Sequence, residues 1–172
     1  MAKTSNLREF QEAILAKLKD AASQVGAEST SRLGVTVGTK KYLVRLNEVR
    51  EVLPVPPVLQ VPLTKPWFLG TANVRGNLYN VTDLAQFLGM PPTHKSVHNR
   101  ILLLSTETTT QAALLIDSLV GLRNLQEMQA EKLDESDKSH FAMQKLVDAD
   151  KNQWLELDIE SLVQDKNFIQ PI

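Results

Sequence analysis

Three histidines, no cysteine and 20 carboxylates are the side chains from which an active site or metal centre would have to be assembled. His94 and His98 stand four residues apart, the spacing that puts two ligands on one face of a helix. They follow Met90-Pro91-Pro92-Thr93, however, which makes the stretch a loop, and no carboxylate or third histidine stands beside them. His140 stands alone. Without cysteine there is no thiol nucleophile, no Cys-ligated metal and no disulfide framework. GxSxG, HExxH, a P-loop and GxGxxG are all missing, and no pair of carboxylates is set apart by its neighbours as a tuned acid and base. The residues therefore support no catalytic group, no metal and no cofactor, and a binding protein is the better expectation than an enzyme.

One segment carries a specific pattern, Phe68-Leu69-Gly70-Thr71-Ala72-Asn73-Val74-Arg75-Gly76-Asn77-Leu78-Tyr79-Asn80-Val81-Thr82-Asp83-Leu84. Gly70 and Gly76 bracket a strand-to-strand connection that holds Asn73 and Arg75, and glycine permits unusual φ or a close backbone approach there. An arginine held in a tight loop is a good anchor for a partner, because its guanidinium is always charged and presents a planar fork of donors. The plainer alternative is a structural Arg75 that pairs with a carboxylate such as Glu51 or caps orphan carbonyls.

The elements that must position this loop can be read from periodicity. Leu7, Phe10, Ile14, Leu18, Ala21 and Val25 recur every three or four residues, which lines one face of a helix. Asn6 can cap it with Glu9 three residues on, and Gly26 can stop it. Residues 27–31 have linker composition, so residues 1–32 form a helix and linker ahead of a domain over 33–172. An amphipathic helix normally packs on its own domain, and that is favoured over docking to another chain. From Leu33 onward the pattern becomes short β segments. Residues 33–37, 42–46 and 49–53 predict a three-stranded meander with a turn at Gly38-Thr39-Lys40-Lys41. Pro54, Pro56, Pro57, Pro62 and Pro66 rule out a central strand or helix in the next stretch. Their apolar interleaving predicts a stiffened, ordered loop that delivers Trp67-Phe68-Leu69 to the core.

A repeat lies across the chain. Tyr42 to Val52 and Ala112 to Leu122 both read as a strand, a polar elbow at Asn47 or Asp117, and a second strand. Leu78 to Leu84 and Trp154 to Ile159 are strands ending in Asp83 and Asp158, each placed to cap a short helix. Two similar, mostly β units of about seventy residues follow, and short strands without long helical crossovers favour small barrels over a parallel sheet. A binding site would then sit at the seam between units.

Bulk composition agrees with a binding module. A chain of 172 residues can bury ~68–70% of its unfolded surface and needs no staple. The longest apolar runs are about five residues, far short of the ~20 that cross a bilayer, and no signal peptide is visible, so a cytoplasmic protein without membrane insertion is expected. The net charge of −1 hides polarity, because residues 33–100 carry 8 basic and 3 acidic side chains while residues 101–172 carry 6 and 13. The basic middle leaves open a small β-barrel that binds nucleic acid, although its scarcity of aromatics speaks against base stacking.

Leu69 to Gly76 and Val81 to Leu84 resemble the signature of the CheW chemotaxis coupling family, in which an apolar residue and x-Gly-x-x-Asn-Leu-Arg-Gly precede an apolar stretch ending in Asp-Leu. Tyr42 to Val52 is similar to the family's first hairpin, and Ile116-Asp117-Ser118-Leu119 to the Val-Asp-x-Val of its second half. The resemblance spans about residues 33–165. It departs at Asn80 and Val74, where the family commonly has Pro and Leu, and at Phe141 to Gln153, which lacks the family's glycines. The N-terminal helix and the ending from Trp154 through Ile169 look like PilI-type adaptors of type IV pilus chemosensory systems. The resemblance implies two packed SH3-like barrels of five strands each. It also implies a non-enzymatic adaptor that joins the cytoplasmic tip of a methyl-accepting chemoreceptor to the regulatory domain of a CheA-type histidine kinase, and so gathers at receptor arrays. Carried over by position, Val49, Glu51, Asn73, Arg75 and Gly76 belong to the receptor-facing region, with Val52 and Leu119 near the groove between barrels. It assigns no kinase-facing residue.

Overall fold

The computed structural model describes residues 15–20 and 30–172, which form five α-helical segments and twelve strands. The described residues begin with a helical stretch, α1 (residues 15–20), then β1 (Ser31–Val37) and β2 (Lys40–Arg45). A 3-10 turn over Leu46–Glu48 leads to β3 (Val49–Pro54) and β4 (Val58–Leu59). β5 (Phe68–Val74) and β6 (Asn77–Asp83) form a hairpin, followed by α2 (Leu84–Phe87), β7 (Arg100–Leu104) and β8 (Ala112–Ile116). β9 (Ser118–Asn124), β10 (Gln129–Glu131), α3 (Glu135–Ser139), β11 (Ala142–Val147), β12 (Gln153–Leu157), α4 (Ile159–Gln164) and α5 (Lys166–Ile169) complete it. The caps expected for the first helix, Asn6, Glu9 and Gly26, lie outside the described residues.

Two six-stranded sheets result, ordered β10-β11-β12-β2-β1-β9 and β3-β7-β8-β6-β5-β4. Each has one strand more than the five of the resemblance, and the short edge strands β4 and β10 make up the difference. The meander expected over residues 33–53 is corrected. β1 and β2 pair as a hairpin, but the 3-10 turn at Leu46–Glu48 redirects the chain so that β3 leaves that sheet and pairs with β7. At the second elbow, Asp117 closes the equivalent crossing by accepting from Gly38 N at 2.5 Å.

The two halves of the repeat are consequently interlocked rather than consecutive. Tyr42 on β2 lies opposite Leu155 on the parallel strand β12, and Ala112 on β8 lies opposite Asn80 on the parallel strand β6. These two pairs are the same pair under the alignment that matches Tyr42 with Ala112 and Asp83 with Asp158. Each half thus sets its Asp-terminated strand beside the strand that precedes the elbow of the other half. Asp83 and Asp158 do cap short helices, accepting from Ala85 N at 3.2 Å and Ser161 N at 3.1 Å.

Exchange explains the uninterrupted apolar runs, since a strand buried on both faces has no reason to alternate with polar residues. Leu102 and Leu104 of β7 and Leu114 and Ile116 of β8 face a core at the seam between sheets, with Tyr42, Val44, Leu155 and Leu157 from the other sheet. The intervening Ile101, Leu103, Ala113 and Leu115 face a second core with Leu53, Val74 and Tyr79. Inside the first sheet Leu43, Leu146 and Trp154, with Leu125 and Met128 packed against them, form the matching core, and Trp154 fills space left by Gly34. An ionic cluster lies within the same sheet. Glu156, 1% exposed, accepts from Arg32 Nε at 2.9 Å, Arg45 Nε at 3.3 Å and the Gln144 amide. Burial pushes its pKa up, but the Gln144, Arg32 and Arg45 donors outweigh that and hold it below the usual carboxylate range.

The proline segment is ordered, as its apolar interleaving predicts. It brings Trp67 edge-on to Phe87, which stacks on Phe141 and meets Phe168 edge-on, and Leu69 packs against the second core. Lys65 N donates to Pro171 O at 2.6 Å, pinning the C-terminal end beside this loop. Gly70 sits at φ +135°, where an added Cβ would lie 2.0 Å from Leu59 O, so no other residue fits where β4 meets β5.

Candidate functional site

The singled-out loop is a two-residue hairpin. Val74 pairs with Asn77, and Arg75 and Gly76 between them have φ of 51° and 86°. Positive φ at both central positions is the type I′ turn that suits the twist of antiparallel strands. Space does not require the glycine, since nothing lies within 4 Å of an added Cβ; its conformation does. Asn73 Oδ1 accepts from Gly76 N at 2.9 Å and ties down the turn.

This fixed tip aims Arg75 at β3. Its guanidinium meets the Glu51 carboxylate with both fork nitrogens, Nη1 donating to Oε1 at 3.2 Å and Nη2 to Oε2. Behind it, Arg50 Nη1 and Tyr79 Oη are 3.5 Å apart. β3 and the β5-β6 hairpin are well separated in sheet order, so these contacts show that the second sheet curls until its edge strand meets the hairpin. The side chains of Arg75 and Glu51 remain 42% and 18% exposed. The pairing with Glu51 and the role as surface anchor are thus compatible: the carboxylate holds the fork in place, and the Arg75 side chain stays partly exposed.

The structure gathers Glu51, Asn73, Arg75 and Gly76 at this tip. It puts Val49 and Val52 elsewhere, buried in the seam core, where they present no surface. Leu119, on β9 of the other sheet, is half-buried against the same core. Two neighbours were not legible from local pattern. Lys19 of α1 donates from Nζ to Val49 O at 2.9 Å, and burial lowers its pKa. Glu48 has its pKa pushed up to about 7, chiefly by burial; the nearby Asp158, Glu156 and Glu160 act in the same direction and Arg45 against it. The only sequence signal for Lys19 is its place beside Leu15 and Leu18 on the helix; Glu48 gives none, because its acidic neighbours lie over a hundred residues away.

His94 and His98 fall in the loop between α2 and β7, where the His94 carbonyl accepts from Asn99 Nδ2 at 2.9 Å. Among the described residues no group of three or more His, Asp or Glu side chains converges as a metal site, and no helix is long and apolar enough to cross a membrane.

This fold and hairpin coincide with a known domain, for the model of the CheW-like domain matches residues 32–167. The chain belongs to the CheW-like domain family. Protein PilI of Pseudomonas aeruginosa is 33% identical over 103 residues, covering 60% of this chain and 57% of that protein. A probable chemotaxis protein CheW of Rhizobium etli is 28% identical over 83 residues, covering 48% and 53%. The matches thus span little more than half the length of these curated relatives. The crystal structure of scaffolding protein TtCheW from Thermoanaerobacter tengcongensis superposes with a TM-score of 0.69 at 18% identity, covering 82% of this chain and 91% of that one, which is a likeness of fold. The Arg75 hairpin lies within the matched stretch.

Proposed function

We propose that the chain is a non-enzymatic adaptor that joins the cytoplasmic tip of a methyl-accepting chemoreceptor to the regulatory domain of a CheA-type histidine kinase, at receptor arrays in the cytoplasm. The observation that carries the receptor side is the hairpin tip, where a type I′ turn and Glu51 fix Arg75 while leaving its side chain partly exposed. A preoriented arginine beside an apolar seam suits an amphipathic helix pair, which offers apolar side chains to the groove and acceptors to its rim. In this reading Glu51, Asn73, Arg75 and Gly76 form the rim of the receptor site. Val49 and Val52 form its floor, and Leu119 borders it from the other sheet. Residues 33–172 act as the adaptor domain, with residues 1–32 as a separate element. The 33% identity to Protein PilI favours the pilus branch of chemosensory signalling, that of twitching motility.

Calorimetric titration of the full chain with a soluble two-helix hairpin from a receptor tip, and separately with a kinase regulatory domain, tests the reading. Saturable binding of both is expected, each persisting at physiological salt. Binding of neither, or binding only to nucleic acid with a steep inverse salt dependence, rejects it.

A further inference from the structure

Val49 and Val52 are assigned to the receptor site yet are buried in the free chain, and one of the elements that touches Val49, α1, lies outside the stretch matched by the CheW-like domain. We infer that α1 is a resident occupant of the seam groove, held there in cis, which a receptor helix displaces when it binds. This rests on the receptor reading given above and adds to it the means by which the site is kept closed.

α1 has the chemistry of a groove ligand. Leu15 is 4% exposed and belongs to the same core as Val49 and Val52; Leu18, one turn on, packs against that core, as Leu119 does. Lys19 adds a directed contact, its ammonium donating to the Val49 carbonyl beside the bulge where the β3-β7 register shifts. Ala16, Lys17 and Asp20 point to solvent, so α1 has one inward and one outward face. An amphipathic helix seated on an apolar seam is also how a receptor helix would engage the same surface. Two occupants with the same chemistry compete.

The attachment of α1 also suits a displaceable part. Strands β2, β3, β7 and β8 are fixed by ladder hydrogen bonds and two buried faces, so they cannot vacate the seam without unfolding it. An isolated helix is marginal in water and stays through what it packs on. α1 is outside the family stretch of 32–167 that builds the two sheets, so its departure leaves their ladders intact. While it is seated, the apparent affinity for a receptor helix is reduced by the fraction of molecules whose groove is open.

The chain has no cysteine, so Leu18→Cys in the full chain places a single thiol on the inward face of α1. The probe is a soluble two-helix hairpin from a chemoreceptor tip, with saturation confirmed by calorimetry. Thiol labelling should be slow in the free chain and several-fold faster at saturation. In parallel, the full chain carrying Leu15→Asp and Leu18→Asp should bind the probe about tenfold more tightly than the unaltered chain. Labelling that is unchanged or slower at saturation overturns the inference and leaves the adaptor reading standing. Failure of the unaltered chain and both variants to bind the probe overturns the adaptor reading, and the inference falls with it. Should the double substitution disturb folding, shown by loss of a cooperative urea transition, the Leu18→Cys labelling decides alone.

Discussion

Arg75→Asp separates the surface role of the hairpin from its structural role. The position requires positive φ, which aspartate tolerates better than most residues, so the turn survives. The substitution removes an ion pair whose arginine side chain is 42% exposed, worth ~0.2–1 kcal/mol, and sets a second carboxylate beside Glu51 at a similar cost. A stability loss of about 0.4–2 kcal/mol follows, which lowers the melting temperature by roughly 1–8 °C in a chain of this size. If the guanidinium anchors a receptor helix, its loss costs about 2 kcal/mol or more of binding, a roughly 30-fold weaker Kd. Urea unfolding gives the first quantity and calorimetry with a receptor-tip hairpin the second. Adding Glu51→Arg to Arg75→Asp rebuilds the pair with its charges exchanged, and should recover stability but not binding. Unchanged affinity in a cooperatively folded Arg75→Asp protein removes Arg75 from the receptor site. A loss of several kcal/mol in stability refutes the view of the pair as a weak surface contact.

Three further outcomes follow from the packing. Glu156→Gln leaves the buried Arg32 without its carboxylate, so urea unfolding should show a loss of about 3–5 kcal/mol at neutral pH. Because the native pKa of Glu156 is depressed, its contribution is present above its unfolded pKa, and the gap from the unaltered chain should close as pH falls through the native value. Glu48 behaves oppositely. Its native pKa of about 7 lies above the unfolded 4.5, so the native state binds the extra proton in this window and stability falls as pH rises through it. Glu48→Gln should therefore match the unaltered chain near pH 4.5 and exceed it by ~1–2 kcal/mol at pH 8, after discounting for partial solvation. Gly70→Ala drives a methyl into the Leu59 carbonyl at φ +135°, and a fall of about 3 kcal/mol or more in stability is expected from the urea midpoint.

Local chemistry made the hairpin legible in part: Gly70 and Gly76 mark a strand-to-strand connection holding Asn73 and Arg75, which the structure narrows to Arg75-Gly76 with Asn73 on β5, and Glu51 was nameable as the carboxylate a structural arginine would pair with. The caps at Asp83 and Asp158 were legible for the same reason. The repeat aligned Tyr42 with Ala112 and Asp83 with Asp158, without revealing that these strands pair in parallel across the halves, Tyr42 with Leu155 and Ala112 with Asn80. Periodicity reports which face of a strand is buried but not which sheet it joins, so the redirection of β3 by the 3-10 turn at Leu46–Glu48 escaped it. The runs Ile101 to Leu104 and Ala112 to Ile116 carry the missing information, since only a strand between two cores is apolar on both faces. The Glu156 cluster joins residues 124 and 111 positions apart, and no local pattern announces it. Val49 and Val52 show what position alone leaves out, because it does not say whether a side chain is covered in the free chain.

A bridging measurement tests the adaptor function most directly. Receptor-tip hairpins are fixed to beads, a kinase regulatory domain is added, and its retention is measured with and without the full chain. An adaptor retains the kinase domain only when the chain is present. Arg75→Asp should abolish that retention while still binding the kinase domain in solution. Retention that is equal without the chain, or absent with it, contradicts the proposed function.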